Sequence, residues 1–338
     1  MKDFWPTQTQ LPYLKYLSKM PLIESTYKPA WIFRSGFLST VYSGLFRMIA
    51  ISQKRERIIL CDGDFLDLDW SHSKEKSDAL VVLLHGMEGH GQRPYVSGVA
   101  KFFNSEGIDA VCVNFRSCSG EDNRSYSSFH SGQTEDLEDI INHIISTYNY
   151  DSIFIKGISL GGNIVLKYLG ENSNLSSKIK AGMGVSVPID LKGSSSALHQ
   201  FNNILFHIYF MIGLKLKLKQ KSRQFPDKLS RKTLRSIWTL RDVDEVYTAP
   251  ANGFKNAEDY YHRWSIVHQL SKIKTPVLLL NANNDSFLPS SCYPYEMAKN
   301  SQYLHLEVPK YGGHVGFISF KKAYYNETRA LEFFLKFK

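Results

Sequence analysis

The feature that most constrains this chain is Gly157-Ile158-Ser159-Leu160-Gly161, continued by Gly162-Asn163. It follows the apolar run IFIK at 153–156 and precedes a helix-period stretch over 160–170. A serine hydroxyl is a weak nucleophile, so using it requires exposure, a nearby base and donors for a developing oxyanion. A sharp strand-to-helix turn provides the exposure, because its glycines let two backbone segments pass closely around a strained residue. The helix starting beneath the serine then points its first amides at negative charge. A G-x-S-x-G string alone also occurs as an ordinary glycine-rich turn. The strand before it and the helix after it favour the nucleophile.

Other short apolar runs repeat this rhythm. Residues 79–84 (ALVVLL) and 109–115 (DAVCVNF) each lead through a turn into helical patterns at 94–105 and 133–147. Runs at 181–187, 275–280 and 303–308 extend the series. Strands alternating with helices at this spacing predict a mostly parallel sheet covered on both faces. Upstream, 57–60 and 65–70 flank 61–64 and read as an antiparallel hairpin at the sheet edge. From 188 to about 265 the alternation stops, and a helix-prone, Lys-rich, aromatic stretch intervenes before the next strand. Residues 317–337 read as a closing amphipathic helix. The expected layout is an N-terminal segment (1–50) packed on a core made of 51–188 and 266–338, with 189–265 inserted as a basic lid region.

Charge sharpens that division. The chain carries 41 basic and 32 acidic residues, but between Lys215 and Arg235 nine Lys or Arg face the single acid Asp227. The excess is therefore local, which argues against nucleic-acid binding by the whole chain. Residues 1–19 lack the apolar run and cleavage site of a secretory signal, and the most apolar stretch, 204–214, is about half the length needed to span a bilayer. Four scattered cysteines without a C-x-x-C pair suit a reducing compartment. A cytoplasmic protein is expected, with peripheral membrane contact left open. No H-E-x-x-H or similar histidine cluster suggests a metal.

A base and its orienting acid are sought downstream in the order Ser, Asp, His. Asp285 follows the 275–280 strand and is the one carboxylate between Asp259 and Glu296; the competing reading is a turn Asp capping the next helix. His314 lies in Tyr311-Gly312-Gly313-His314-Val315-Gly316, a loop past the 303–308 strand, whereas His305 falls inside that strand and reads as a core or edge residue. Leu160 N–H, next to the serine, and Met87 N–H, in the loop His85-Gly86-Met87-Glu88-Gly89, are the expected oxyanion donors. His85 reads as a brace for that loop.

These residues resemble the α/β-hydrolases, and within them the YheT-like hydrolases related to the mammalian ABHD lipases. The resemblance runs from about residue 29 to the C-terminus through FRSGFLSTVYSGLFR, HGMEG, NFRSCSGE, FHSGQTEDL, GISLGGN, DEVYTAP, NANNDSFLP and GGHVGF. It implies an α/β-hydrolase fold with a mostly parallel eight-stranded sheet, helices on both faces and an inserted helical lid. It also implies a Ser159–His314–Asp285 triad cleaving carboxylic esters, often lipid-like ones, without a cofactor. Acyl transfer on the same acyl-enzyme and a non-catalytic lipid-binding role are the alternatives. Two positions depart from the family pattern. Ser117 stands where NFR is usually followed by Gly, and His90-Gly91-Gln92 replaces small residues, so that His90 would narrow or polarise the acyl site. Arg116 and His130 belong to the motifs, with support of the active-site loops as the role expected of them.

The insertion admits two readings. ILFHIYFMIGL (204–214) and the basic segment could dock on an anionic membrane, or the apolar face could pack on the core with the lysines solvated. LKLKLKQK (214–221) alternates like a strand; its helical state is implied by the resemblance alone.

Overall fold

A computed structural model describes residues 21–172, 174–321 and 323–338. The expectation for residues 1–20, part of the N-terminal segment, lies outside the described residues. The strands are β1 (Leu22–Ile23), β2 (Lys54–Ile59), β3 (Phe65–Ser71), β4 (Ala79–Leu84), β5 (Asp109–Asn114), β6 (Ser152–Ile158), β7 (Ile179–Val185), β8 (Val277–Leu280) and β9 (Leu304–Glu307). They form one sheet in the order β1-β9-β8-β7-β6-β4-β5-β3-β2, parallel except for the β2–β3 and β3–β5 pairs. Eight of these strands match the expected sheet. The ninth is the two-residue β1, which the N-terminal segment adds beside β9.

The helices used below are α1 (Gly36–Val41), α2 (Pro94–Ser105), α3 (Thr134–Thr147), α4 (Leu160–Glu171), α5 (Leu191–Leu198), α6 (Ile204–Gln224), α7 (Ala257–Trp264) and α8 (Tyr325–Phe334). Continuous apolar strands need cover on both faces, since successive side chains point to opposite sides. Leu80, Val82 and Leu84 pack toward α3 and α4 through Ile140, Ile144, Val165 and Leu169. Ala79, Val81 and Leu83 pack toward α2 and α8 through Val99, Phe103, Phe333 and Phe334.

The closing helix is shorter than the 317–337 expected. Phe317, the first residue of that range, has φ of 46°, a value a helix cannot contain, and is buried in the α2/α8 core. The helix instead begins where Glu327 Oε2 accepts the Tyr324 N–H at 2.8 Å.

Between β7 and β8 the chain is helical, with a small core of its own containing Leu198, Met211, Leu218, Ile237, Leu240 and Tyr247, closed by Phe287 from the β8 side. The alternating stretch is helical because tertiary contacts override its pattern. Leu218 is buried and Leu216 is exposed. Two of its lysines turn inward: Lys217 Nζ lies 3.0 Å from Glu88, and Lys221 Nζ donates to the Asn123 and Ser125 carbonyls. The reading of uniformly solvated lysines fails at these two. Among the described residues no helix is long and apolar enough to cross a membrane.

Candidate active site

Parallel strands end side by side, so loops leaving their carboxyl ends converge, and open α/β sheets place their sites there. Register aligns Leu84 with Gly157, Ile158 with Val185, and Leu280 with Glu307. The loops after β4, β6, β8 and β9 carry Met87, Ser159, Asp285 and His314 respectively.

Ser159 has φ 53° and ψ −122°, a strained conformation for a residue with a Cβ. The turn closes because its neighbours are glycine. A Cβ on Gly157 would overlap the Gly161 carbonyl, and one on Gly161 would overlap the His85 carbonyl. The half-buried Ser159 is thereby pushed out at the start of α4, with the 85–89 loop against it.

His314 Nε2 lies 2.9 Å from Ser159 Oγ, and its Nδ1 lies 2.8 Å from Asp285 Oδ2. A carboxylate can only accept, so Nδ1 carries the proton and Nε2 presents its lone pair to the serine hydroxyl. Asp285 is buried, and its Oδ1 accepts the Phe287 N–H at 3.0 Å. The Phe287 ring stacks on the His314 imidazole at 4.3 Å between centroids. Met87 and Leu160 line the same cavity as Ser159 and His314. His305 stays within β9, its ring against Phe333.

His85 is fully buried, and burial depresses its imidazole to about 3, so it stays neutral. Its Nε2 accepts the Phe115 N–H at 3.2 Å, which leaves Nδ1–H to donate to the Gly86 carbonyl at 2.7 Å. Arg116 makes paired bonds to Asp136 at 2.6 and 2.8 Å and another to Asp62 at 2.5 Å. It thus ties the β5 loop to the first turn of α3 and to the β2–β3 turn. His130 stacks near Trp264, and burial lowers it to about 3. Beside it, the Ser131 carbonyl accepts from Asn163 of α4 at 2.8 Å. Ser117 has φ 59°, the left-handed region that favours Gly. Its bonds to Asn123, N–H to Oδ1 and Asn123 N–H to its Oγ, hold it there.

His90 does not line the cavity, contrary to the expectation that it would narrow or polarise the acyl site. Gly91 N–H donates to Asn114 Oδ1 of β5 at 2.8 Å, which turns this part of the loop toward the sheet.

The sequence reading missed the support for the histidine loop. Thr40 Oγ1 accepts the His314 N–H at 2.9 Å, while Ser39 and Ser43 hydroxyls donate to the Gly312 and Val315 carbonyls, both at 3.1 Å. On the other side, Asn284 Oδ1 accepts from Gly313 N–H and Ser186 Oγ from Val315 N–H. Small residues at 36, 39 and 43 on one helical face were the available signal. Thr40→Val should lower kcat for ester hydrolysis about ten-fold with KM little changed, as expected for one lost bond to the His314 backbone. Steady-state kinetics check this; a rise in KM at constant kcat would contradict it.

The cavity has a volume of about 170 Å³. Its walls are mostly apolar and include Leu198, Leu214, Leu218, Leu240 and Val243 from the segment between β7 and β8, together with Phe287. Asp244 also faces the cavity, with Tyr261 Oη donating to its Oδ2 at 2.7 Å. Burial raises its carboxyl from 3.8 to about 6, against the opposing effect of that bond. The folded chain therefore holds this proton to higher pH than the unfolded chain. Stability from this group is full below about 4, falls as pH rises toward about 6 and is level above. Asp244→Asn should stabilise the protein at pH 8 by on the order of 2 kcal/mol and lose that advantage by pH 4. Thermal melts across pH test this, and a pH-independent difference would contradict it. Among the described residues no group of three or more His, Cys, Asp or Glu is arranged to hold a metal.

Residues 75–292 match the family described as serine aminopeptidase, S33. A putative esterase, YheT, of Escherichia coli is 30% identical over 291 residues, covering 85% of each chain. Phospholipase ABHD3 of Mus musculus is 28% identical over 307 residues, covering 88% of this chain and 74% of its own. An esterase structure from Pyrococcus furiosus superposes with a TM-score of 0.56 at 20% identity, covering 85% of this chain and 92% of that one, which shows the fold. The chain belongs to the α/β-hydrolases, in the esterase- and lipase-type family of YheT- and ABHD-like hydrolases.

Proposed function

We propose that this protein hydrolyses carboxylic esters with an apolar acyl chain, using Ser159 as nucleophile, His314 as general base and acid, and Asp285 as its orienting acid. The observation that carries this reading is the unbroken path from Ser159 Oγ through His314 to buried Asp285, opening on an apolar cavity. His314 Nε2 takes the hydroxyl proton as Oγ attacks the ester carbonyl, and Asp285 stabilises the imidazolium that forms. The Met87 and Leu160 amides receive the oxyanion. Collapse breaks the ester C–O bond, and the alcohol leaves with the proton from His314. Water then repeats the sequence on the acyl-enzyme and releases the acid.

Residues 189–265 act as a lid, since they supply much of the cavity wall. The substrate is a lipid-like or other small ester, and the reaction draws on this chain's side chains and amides. Hydrolysis of p-nitrophenyl esters from acetate to palmitate tests the reading. Activity should rise from acetate to a medium or long chain as the acyl group fills the wall formed by Leu198, Leu214, Leu218 and Leu240. Turnover no faster than the uncatalysed rate on every ester would overturn it. Product ester formed from added alcohol in preference to acid would instead establish acyl transfer.

A further inference from the structure

One face of α6 contradicts what a solvated helix requires. Leu205, Ile208, Tyr209, Ile212 and Leu216 recur at the spacing i, i+3, i+4, i+7 and i+11, which puts them in one stripe. All five are exposed, Leu205 at 62%, Ile212 at 59% and Leu216 at 60%. The opposite face carries buried His207, Met211, Leu218 and Lys221. Packing therefore leaves the apolar stripe outside, where a surface helix ordinarily places its charges.

The stripe then changes character along its own line. Lys219 and Arg223 continue the same face and are exposed, and the chain goes on through exposed Lys228, Arg231, Lys232 and Arg235. Beside the helix, Trp238 is 72% exposed, its carbonyl accepting from His207 Nε2 and its ring 4.7 Å from Lys215 Nζ. On the other flank, Phe206 meets Phe37 of α1 with ring centroids 5.3 Å apart, so the apolar surface extends onto exposed Phe37 and Leu38.

We infer that this face docks on an anionic lipid surface. The stripe would enter the boundary between headgroups and acyl chains, with Trp238 at that boundary and the basic residues against lipid phosphates. Charge selects lipid over a second copy of the chain, because two such faces meeting would bring two strongly basic segments together. One helix thus meets lipid on one face while Leu214, Lys217 and Leu218 line the cavity from the other. The docking is independent of the reaction proposed above, so its failure and that of the triad are read by separate experiments.

Flotation of the full chain with phosphatidylcholine vesicles, with and without phosphatidylglycerol, tests it. Wild type should float with the anionic vesicles at least ten-fold more than with the neutral ones. Leu205→Glu/Ile212→Glu and Lys219→Glu/Arg223→Glu should each cut that binding ten-fold or more while melting like wild type. Wild type left unbound by both vesicles, or both folded double variants floating as wild type does, would overturn the proposal. So would a dimer in sedimentation that Leu205→Glu/Ile212→Glu dissociates without any lipid binding, since the occupant would then be a second copy.

Discussion

Ser159→Ala is expected to lower kcat by about 10⁴–10⁶ while leaving the folded chain intact. In the proposed mechanism the loss is large because His314 and Asp285 act only through the serine: with Oγ gone, His314 has no nucleophile to deprotonate. On the same proposal, residual rate would come from the Met87 and Leu160 amides polarising the ester carbonyl for direct attack by water. The fold should survive because the turn is shaped by backbone contacts of Gly157 and Gly161, and alanine removes one hydroxyl from a half-buried position. Stopped-flow or steady-state hydrolysis with a matched melting curve measures both halves. Activity within ten-fold of wild type would mean that another nucleophile does the work.

Gly157→Ala should have the largest effect on stability. Its Cβ would overlap the backbone of Gly161 and Gly162, which cannot rotate aside as a side chain can. Relief requires moving the end of β6 or the start of α4, both packed in the central core. The cost is at least about 3 kcal/mol, beyond the usual range for a surface substitution. Urea unfolding or the yield of soluble protein reads it. A variant as stable as wild type would show that the turn is more open than described.

Much of this site was legible because its chemistry sits where strands end. The 275–280 and 303–308 runs located the loops carrying Asp285 and His314, and the structure brings both to Ser159. What sequence did not disclose depended on contacts distant along the chain. Thr40 and Ser39 serve a loop more than 270 residues away, and their own neighbourhood says only that they can be helical. His90 was placed on the cavity because its loop begins there; the bond from Gly91 to Asn114 turns it away. The lysines of 214–221 alternate evenly in sequence, yet their environments differ with helical phase. Lys217 and Lys221 reach inward to Glu88 and to backbone carbonyls, while Lys219 stays in solvent. The closing helix begins at Tyr325, and Phe317, where the sequence reading starts it, has a positive φ that its residue type does not announce.

The central claim is that Ser159 is the activated nucleophile. Reaction with a fluorophosphonate ester, followed by peptide mapping, addresses it most directly, because phosphorus is attacked by the activated hydroxyl with loss of fluoride. A single adduct on Ser159, absent from Ser159→Ala and strongly slowed in His314→Ala, is the predicted result. An adduct on a different residue, or equal labelling when His314 is removed, would contradict the account.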